Sequence, residues 1–363
     1  MSDSLTKSKI NIVNGRSMFS SARVVTHDGV WMINYLEPFL YFYDFSKKYI
    51  TIVRDIPKAK WDVAYPYSTE MIMMDNDKLL LIPFIGEKVV IYHINDGSFA
   101  FLDIDGSSWP LLYYSRKAFY YNNWYHCIPV TYPRVIKIKK DELSVKYGKN
   151  IFSEHETLGL PVRIGDLVYS PNQGNNKMYI YNLGTEQWSN RLLDKNIKGI
   201  VGLYLHGKDI LAVDDIDGTI WQLEPNSLDI VGYRRMEEKR ERIIAKLDYG
   251  HMLIRSMETL KWKICDENLK TIPNGEYRYL IDFLKTLGKL VAIEKDEQGK
   301  YYIFSDNAIA VAHEKKIECS EIKLNEKFEV GLSKNAILNS DTYTERASAD
   351  LLTLCKYLDE DNK

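Results

Sequence analysis

Cysteine is scarce in this chain. Its 363 residues include four cysteines, Cys127, Cys265, Cys319 and Cys355, each standing alone. No CxxC pair occurs, so free thiols in a cytoplasmic protein are expected. No apolar run approaches the ~20 residues a membrane helix needs. The N-terminal stretch MSDSLTKSKINIVNG has no continuous apolar segment and does not read as a secretory signal. Neither charge sign dominates: 48 basic side chains stand against 50 acidic ones, a formal net charge of −2. That balance gives no global field for nucleic acid or a membrane surface, and neither is expected as a partner. Walker and GxGxxG sequences are missing, and YSPNQGNNKMY is too poor in glycine to cradle a phosphate. No cofactor and no metal is expected. Helical periodicity is weak until the C-terminal stretch.

What the chain has is aromatic residues, 26 Tyr and 7 Trp among them, and a repeat. Seven segments share one pattern: FYDFSKKYI, IYHINDGSF, VIKIKKDEL, IYNLGTEQW, IWQLEPNSL, KWKICDENL and YYIFSDNAI. Their second positions, here called anchors, are Tyr43, Tyr92, Ile136, Tyr181, Trp221, Trp262 and Tyr302. The steps between them are 49, 44, 45, 40, 41 and 40 residues. A period in the low forties with strand-like units is the signature of a β-propeller.

A second landmark precedes each anchor: a polar or glycine turn, then an apolar run. The copies are HDGVWMI, NDKLLLI, RKAFYY, IGDLVY, GKDILAV, YGHMLI and LGKLVAI. Five carry a glycine, Gly29, Gly165, Gly207, Gly250 and Gly288, which supplies the positive φ of a tight hairpin. A further apolar segment precedes each turn: SSARVVT, EMIMMD, PLLYYS, LPVRI, IVGLYL, RIIAKL and YLIDFLKTL. Each repeat thus predicts four strands, A to D, with tight A–B and C–D turns and variable B–C and D–A connections. The fold expected is all-β: a single seven-bladed propeller of four-stranded antiparallel blades over 20–325. Residues 1–19 form an N-terminal segment, and 326–363 a tail.

The fourth copy, MYIYNLGTEQW, resembles the Tyr…Trp half of a kelch repeat, with Tyr181 and Trp188 seven apart. The same plus-seven position is apolar at Ile50, Phe99, Leu143, Leu228 and Leu269. The resemblance implies a kelch-like propeller at the level of the superfold. The kelch double glycine is absent, as are the WD40 marks. Such a fold hosts enzymes and scaffolds alike and does not supply a function.

A ring of blades must close, and two strands are candidates, Lys9–Val13 and Ile317–Leu324. In the tail, Leu351, Leu352, Cys355 and Leu358 fall near helical spacing. They predict a short amphipathic helix, docked on the rim or offered to a partner.

The variable connections are expected to carry the site. The candidates for ligand binding are Glu37, Trp61, Tyr65, Tyr67, Glu70, Trp109, Asn123, Trp124, His126 and Arg134. Flat rings beside amides and charges suit a protein, peptide or glycan ligand. The first expectation is therefore a non-catalytic binding module. The alternative is a propeller enzyme, a lyase, hydrolase or transferase, with His126, His155, Glu70, Glu37, Arg134 and Arg163 as titratable groups. His126 and Cys127 are adjacent and should point to opposite faces of a strand, a poor catalytic pair. Glu156 lies in the D–A connection after the third repeat, and NQGNN in the fourth. Asp214, Asp215 and Asp217 read as a plain B–C turn, and the mixed-sign run RRMEEKRER as a solvated loop.

Overall fold

A computed structural model describes residues 22–33, 39–47, 49–56, 68–75, 77–83, 88–104, 115, 117–151, 156–214, 216, 218–237, 241–256, 259–287, 290–295, 299–305, 309–313 and 316–320. Its strands form seven four-stranded antiparallel sheets, each from four strands consecutive in sequence. The fold is a seven-bladed β-propeller.

The first sheet is β1 (Arg23–Val25), β2 (Gly29–Ile33), β3 (Phe39–Asp44) and β4 (Tyr49–Asp55). The second is β5 (Ser68–Asp75), β6 (Lys78–Pro83), β7 (Lys88–His93) and β8 (Phe99–Asp103). The third is β9 (Lys117–Tyr121), β10 (Trp124–Ile128), β11 (Ile136–Lys139) and β12 (Val145–Tyr147). The fourth is β13 (Val162–Ile164), β14 (Leu167–Pro171), β15 (Lys177–Asn182) and β16 (Gln187–Leu192). The fifth is β17 (Ile200–His206), β18 (Asp209–Asp214), β19 (Thr219–Leu223) and β20 (Ile230–Arg235). The sixth is β21 (Glu241–Lys246), β22 (Met252–Ser256), β23 (Trp262–Cys265) and β24 (Thr271–Ile272). A helix, α1 (Arg278–Thr286), precedes the seventh: β25 (Leu290–Lys295), β26 (Tyr301–Ser305), β27 (Ile309–His313) and β28 (Lys316–Ser320).

The chain divides into two compact units. One comprises Met1–Leu81, Ile91–Ala100 and Asn274–Lys363; the other comprises Ile82–Val90 and Phe101–Pro273. In the first unit, the first and seventh sheets pack together. Phe45 stacks on Tyr302 with ring centroids 4.9 Å apart, and the Arg23 guanidinium lies 5.4 Å from the Phe304 ring centroid. Trp31 similarly meets Tyr92 at 5.8 Å. The first and last sheets are therefore joined by side-chain packing. Of the two candidate closing strands, the C-terminal one becomes β28 and completes its own sheet beside β27. Lys9–Val13 lies outside the described residues, as does the predicted C-terminal helix.

In the second unit, apolar clusters fill the spaces between successive sheets. Tyr169, Met178 and Ile180 pack against Ile210, Ala212, Trp221 and Leu228 between the fourth and fifth. Val168 and Tyr181 pack against Ile128 and Val135 between the third and fourth. Inner strands are buried while fourth strands face water: β22 is buried throughout, whereas β16 is almost wholly exposed. The anchors do what their size predicts. Tyr43 and Tyr181 are each 1% exposed, and full burial of such a side chain contributes roughly 1.5–3 kcal/mol.

The plus-seven residue has two structural solutions. Ile50 and Trp188 sit directly opposite their anchors across the strand pair. Leu143, Leu228 and Leu269 instead occupy left-handed turn positions, φ 50°, 60° and 60°. Leu228 and Leu269 nevertheless bury their side chains. Burial offsets the ~1–2 kcal/mol that a left-handed residue with a side chain costs.

Two repeats depart from the predicted phase. In the third, RKAFYY is the first strand, and the hairpin turn is Asn122–Asn123, with φ of 44° and 67°. Two asparagines supply the left-handed pair that glycine supplies elsewhere. The predicted strand PLLYYS falls almost wholly outside the described residues. In the seventh, YLIDFLKTL is helical. Tyr277, Leu280, Ile281 and Leu284 recur at helical spacing and are buried. LGKLVAI thus supplies the first strand, and anchor Tyr302 lies on the second, β26, not the third.

Candidate functional site

Four of the predicted ligand residues keep company with different parts of the fold. Asn123 lies at the turn end of the third sheet, where its Nδ2 donates to Asp141 Oδ2 at 2.5 Å. Trp124 opens β10 at that same end. His126 lies mid-strand and is buried. Arg134 alone lies on the B–C connection, its Nε donating to Asn150 Oδ1 at 2.8 Å. The loop expected at NNWYHCIPVTYPR is thus a strand from Trp124 to Ile128, and these four residues do not share one loop. Glu70 lies on strand β5 instead of a loop. Glu37, Trp61, Tyr65, Tyr67 and Trp109 lie outside the described residues, as does His155.

His126 cannot be an exposed acid–base group. Its Nδ1 lies 3.1 Å from the Tyr181 hydroxyl, and its ring packs on that phenol. Burial, helped by nearby Lys137, pushes its pKa down to about 4. Cys127 points to the opposite face of β10, as strand alternation requires.

The run RRMEEKRER contradicts its reading as a solvated loop. Arg234 ends on β20 and Glu241 opens β21, fully buried. Glu241 accepts from Arg234 at 3.1 Å and from Lys263 at 2.8 Å. Burial depresses the Lys263 pKa, but hydrogen bonds from its ammonium to Glu237 and Glu241 outweigh that and raise it overall. Asp214, in the fifth sheet, organises its turn. Its carboxylate accepts from the backbone of Lys198 and Ile216 at 2.7 and 3.0 Å.

A polar cluster forms where the connection before β13 meets the connection between β14 and β15. Glu156 accepts from Lys177 Nζ at 2.9 Å and from the Tyr179 hydroxyl, and Lys177 Nζ also lies 3.2 Å from that hydroxyl. Lys177 and Tyr179 share one face of β15 because strand side chains alternate. Ser170 sits opposite Tyr179 in the register. The backbone ties the two connections together: Gln173 N donates to Thr157 O at 2.9 Å, and Gly159 N to Pro171 O at 2.7 Å. Gly159 is needed here, since a Cβ would come within 2.8 Å of the Pro171 ring and 3.1 Å of Val201 O.

Beside this cluster, three buried polar atoms make no hydrogen bond among the described residues: Ser170 Oγ, Asn172 Nδ2 and Gln173 Oε1. Buried polar atoms are paired in the great majority of cases, so each exception calls for an explanation, and a ligand or water is one. Hydrogen bonds to Glu156 and Tyr179 raise the Lys177 pKa. Burial, with the Glu156 hydrogen bond, raises that of Tyr179. At neutral pH the cluster therefore presents an ammonium and a neutral phenol, both donors. The sequence signals for this site were the loop NQGNN and the position of Glu156. Lys177 and Tyr179 were hidden inside the repeat, four and two residues before an anchor.

No protein-family model and no curated protein sequence matches the chain. Solved structures do. A streptogramin B lyase matches over 86% of this chain and 96% of its own, at 11% identity and a TM-score of 0.60. The virginiamycin B lyase of Staphylococcus aureus matches over 80% and 92%, at 12% identity and 0.60. BamB of Moraxella catarrhalis matches over 78% of each chain, at 9% identity and 0.51. At these identities the likeness shows the propeller fold alone.

Proposed function

We propose that this protein is a cytoplasmic binding module that holds a peptide, protein or glycan ligand at the Glu156–Lys177–Tyr179 cluster. The observation that carries this reading is the row of buried, unpaired polar atoms, Ser170 Oγ, Asn172 Nδ2 and Gln173 Oε1, beside that cluster. A ligand with hydroxyl or amide groups would satisfy them. The surrounding β-sheets hold the donors in place, so little ordering cost falls on binding. The kelch-like pairing of Tyr181 with Trp188, rings 4.9 Å apart, supports kinship with that blade type.

A second reading is an enzyme. It rests on the cluster being three hydrogen-bonded titratable groups, and on structural neighbours that include lyases. Electrostatics favours binding over it. The Lys177 and Tyr179 shifts both move away from neutrality, whereas acid–base catalysis needs a pKa near the working pH.

The test is a thermal-shift screen of the full chain against defined oligosaccharides and peptides. Each stabilising compound is then titrated against Gln173→Ala and Lys177→Met. At least tenfold weaker binding, with unchanged unfolding temperatures, is expected. Equal affinity in both variants would move the site elsewhere, and conversion of the compound into product would establish the enzyme.

A further inference from the structure

The third sheet carries an unusual concentration of positive charge. Residues 117–150 hold seven Lys and Arg against two Asp and Glu, in a chain whose formal net charge is −2. Three of those lysines surround one ring. The ammonium groups of Lys137, Lys139 and Lys146 lie 5.2, 5.9 and 5.1 Å from the Trp124 ring centroid. The register explains the convergence. Trp124 pairs with Lys139, and Lys137 pairs with Lys146, so all four side chains share one face.

Compensation of these charges is uneven. Lys137 is buried and meets Glu186 at 2.5 Å. Lys139 meets Glu142, which is exposed. Lys146 is exposed and makes no ion pair among the described residues. Three like charges around one ring repel one another; Glu186 and the exposed Glu142 each offset one of them, and the charge of Lys146 is left over.

We propose that the turn end of the third sheet is a recognition surface for an extended acidic peptide, with Lys139 and Lys146 clasping two carboxylates of the partner. Lys139 and Lys146 are diagonal neighbours on adjacent strands, a spacing of about 7–8 Å. An extended peptide places alternate side chains about 7 Å apart on one face, so carboxylates at every second residue match. Trp124 holds the ammonium groups ready through cation–π attraction and lowers the ordering cost. Charge and geometry favour a peptide over single-stranded nucleic acid. Bases need a free aromatic face to stack on, and here lysines crowd the ring. The surface is independent of the Glu156 cluster, which lies at the opposite end of its own sheet, on the B–C side.

The test is fluorescence anisotropy with three labelled probes on the full-length protein. They are an alternating Glu-Thr peptide of ten residues, its Gln-Thr counterpart, and a dT oligonucleotide of equal charge. Wild type should bind the Glu-Thr peptide at least tenfold tighter than either other probe, and less tightly as salt rises. K139Q/K146Q should lose at least tenfold in affinity while its unfolding temperature stays the same. Trp124→Leu should weaken binding several-fold. Equal binding by wild type and K139Q/K146Q would overturn the proposal. Tighter binding of the oligonucleotide, lost in the same variant, would also overturn it and make the surface a nucleic-acid site.

Discussion

The Nδ1 of His126 and the hydroxyl of Tyr181 lie 3.1 Å apart, joining the middle of the third sheet to the anchor of the fourth. Both groups are buried, and the imidazole stays neutral well below its ordinary range, with a pKa of about 4. In the unfolded chain it titrates near 6.5. As pH falls below 6.5, the unfolded state takes up a proton that the folded state refuses. The stabilisation is thus complete above pH 6.5 and is lost as pH falls toward 4. At full extent it is about 3 kcal/mol. Urea unfolding midpoints measured from pH 7.5 to 4.5 should fall in wild type, and fall less in His126→Gln.

Glu241 is the buried member of a charge network with Arg234, Lys263 and Glu237. Removing its charge leaves the mostly buried Arg234 and Lys263 with only the half-exposed Glu237 as a carboxylate partner among the described residues. Glu241→Gln should cost about 3–5 kcal/mol in chemical denaturation. Glu237→Gln removes a half-exposed partner of the same lysine and should cost less than about 1 kcal/mol. Similar losses in the two variants would contradict this account of the network.

Two glycines near first-to-second-strand turns should respond differently to alanine, because Gly29, expected to supply a positive φ, instead opens β2 without one. Gly207 has φ 57° and open space around it. Gly207→Ala meets only the left-handed penalty of about 1 kcal/mol. Gly29 lies where a Cβ would sit 2.1 Å from Tyr43 O and 2.6 Å from the Phe42 ring. Gly29→Ala must push back the backbone of β3 and should cost about 3 kcal/mol. Unfolding temperatures of the two variants check the contrast.

The blade architecture was legible because every blade must bury the same kind of residue at the same strand position. Tyr43, Tyr92, Tyr181 and Trp221 carry that constraint openly. The third and seventh sheets misled for identifiable reasons. Asn122–Asn123 makes a hairpin turn without the glycine that marks most of the others, which moved Trp124 and His126 from a loop into a strand. YLIDFLKTL is apolar enough for a strand, and its helical spacing was outweighed by its place in the period. The site was less legible still. Lys177 and Tyr179 gain meaning only when Glu156, about twenty residues earlier, folds back over them. Likewise RRMEEKRER mixes both signs of charge and reads as solvated until β20 and β21 bring Arg234 to Glu241.

A ligand held at the connections carrying Glu156 and Gln173, and left chemically intact there, should slow amide exchange at those connections. Hydrogen–deuterium exchange, with and without the tightest compound from the oligosaccharide and peptide screen, tests it most directly. Slowed exchange confined to peptides covering 156–160 and 172–179, with the compound recovered unchanged, is the predicted result. Protection elsewhere in the chain, with none at these two segments, would contradict it.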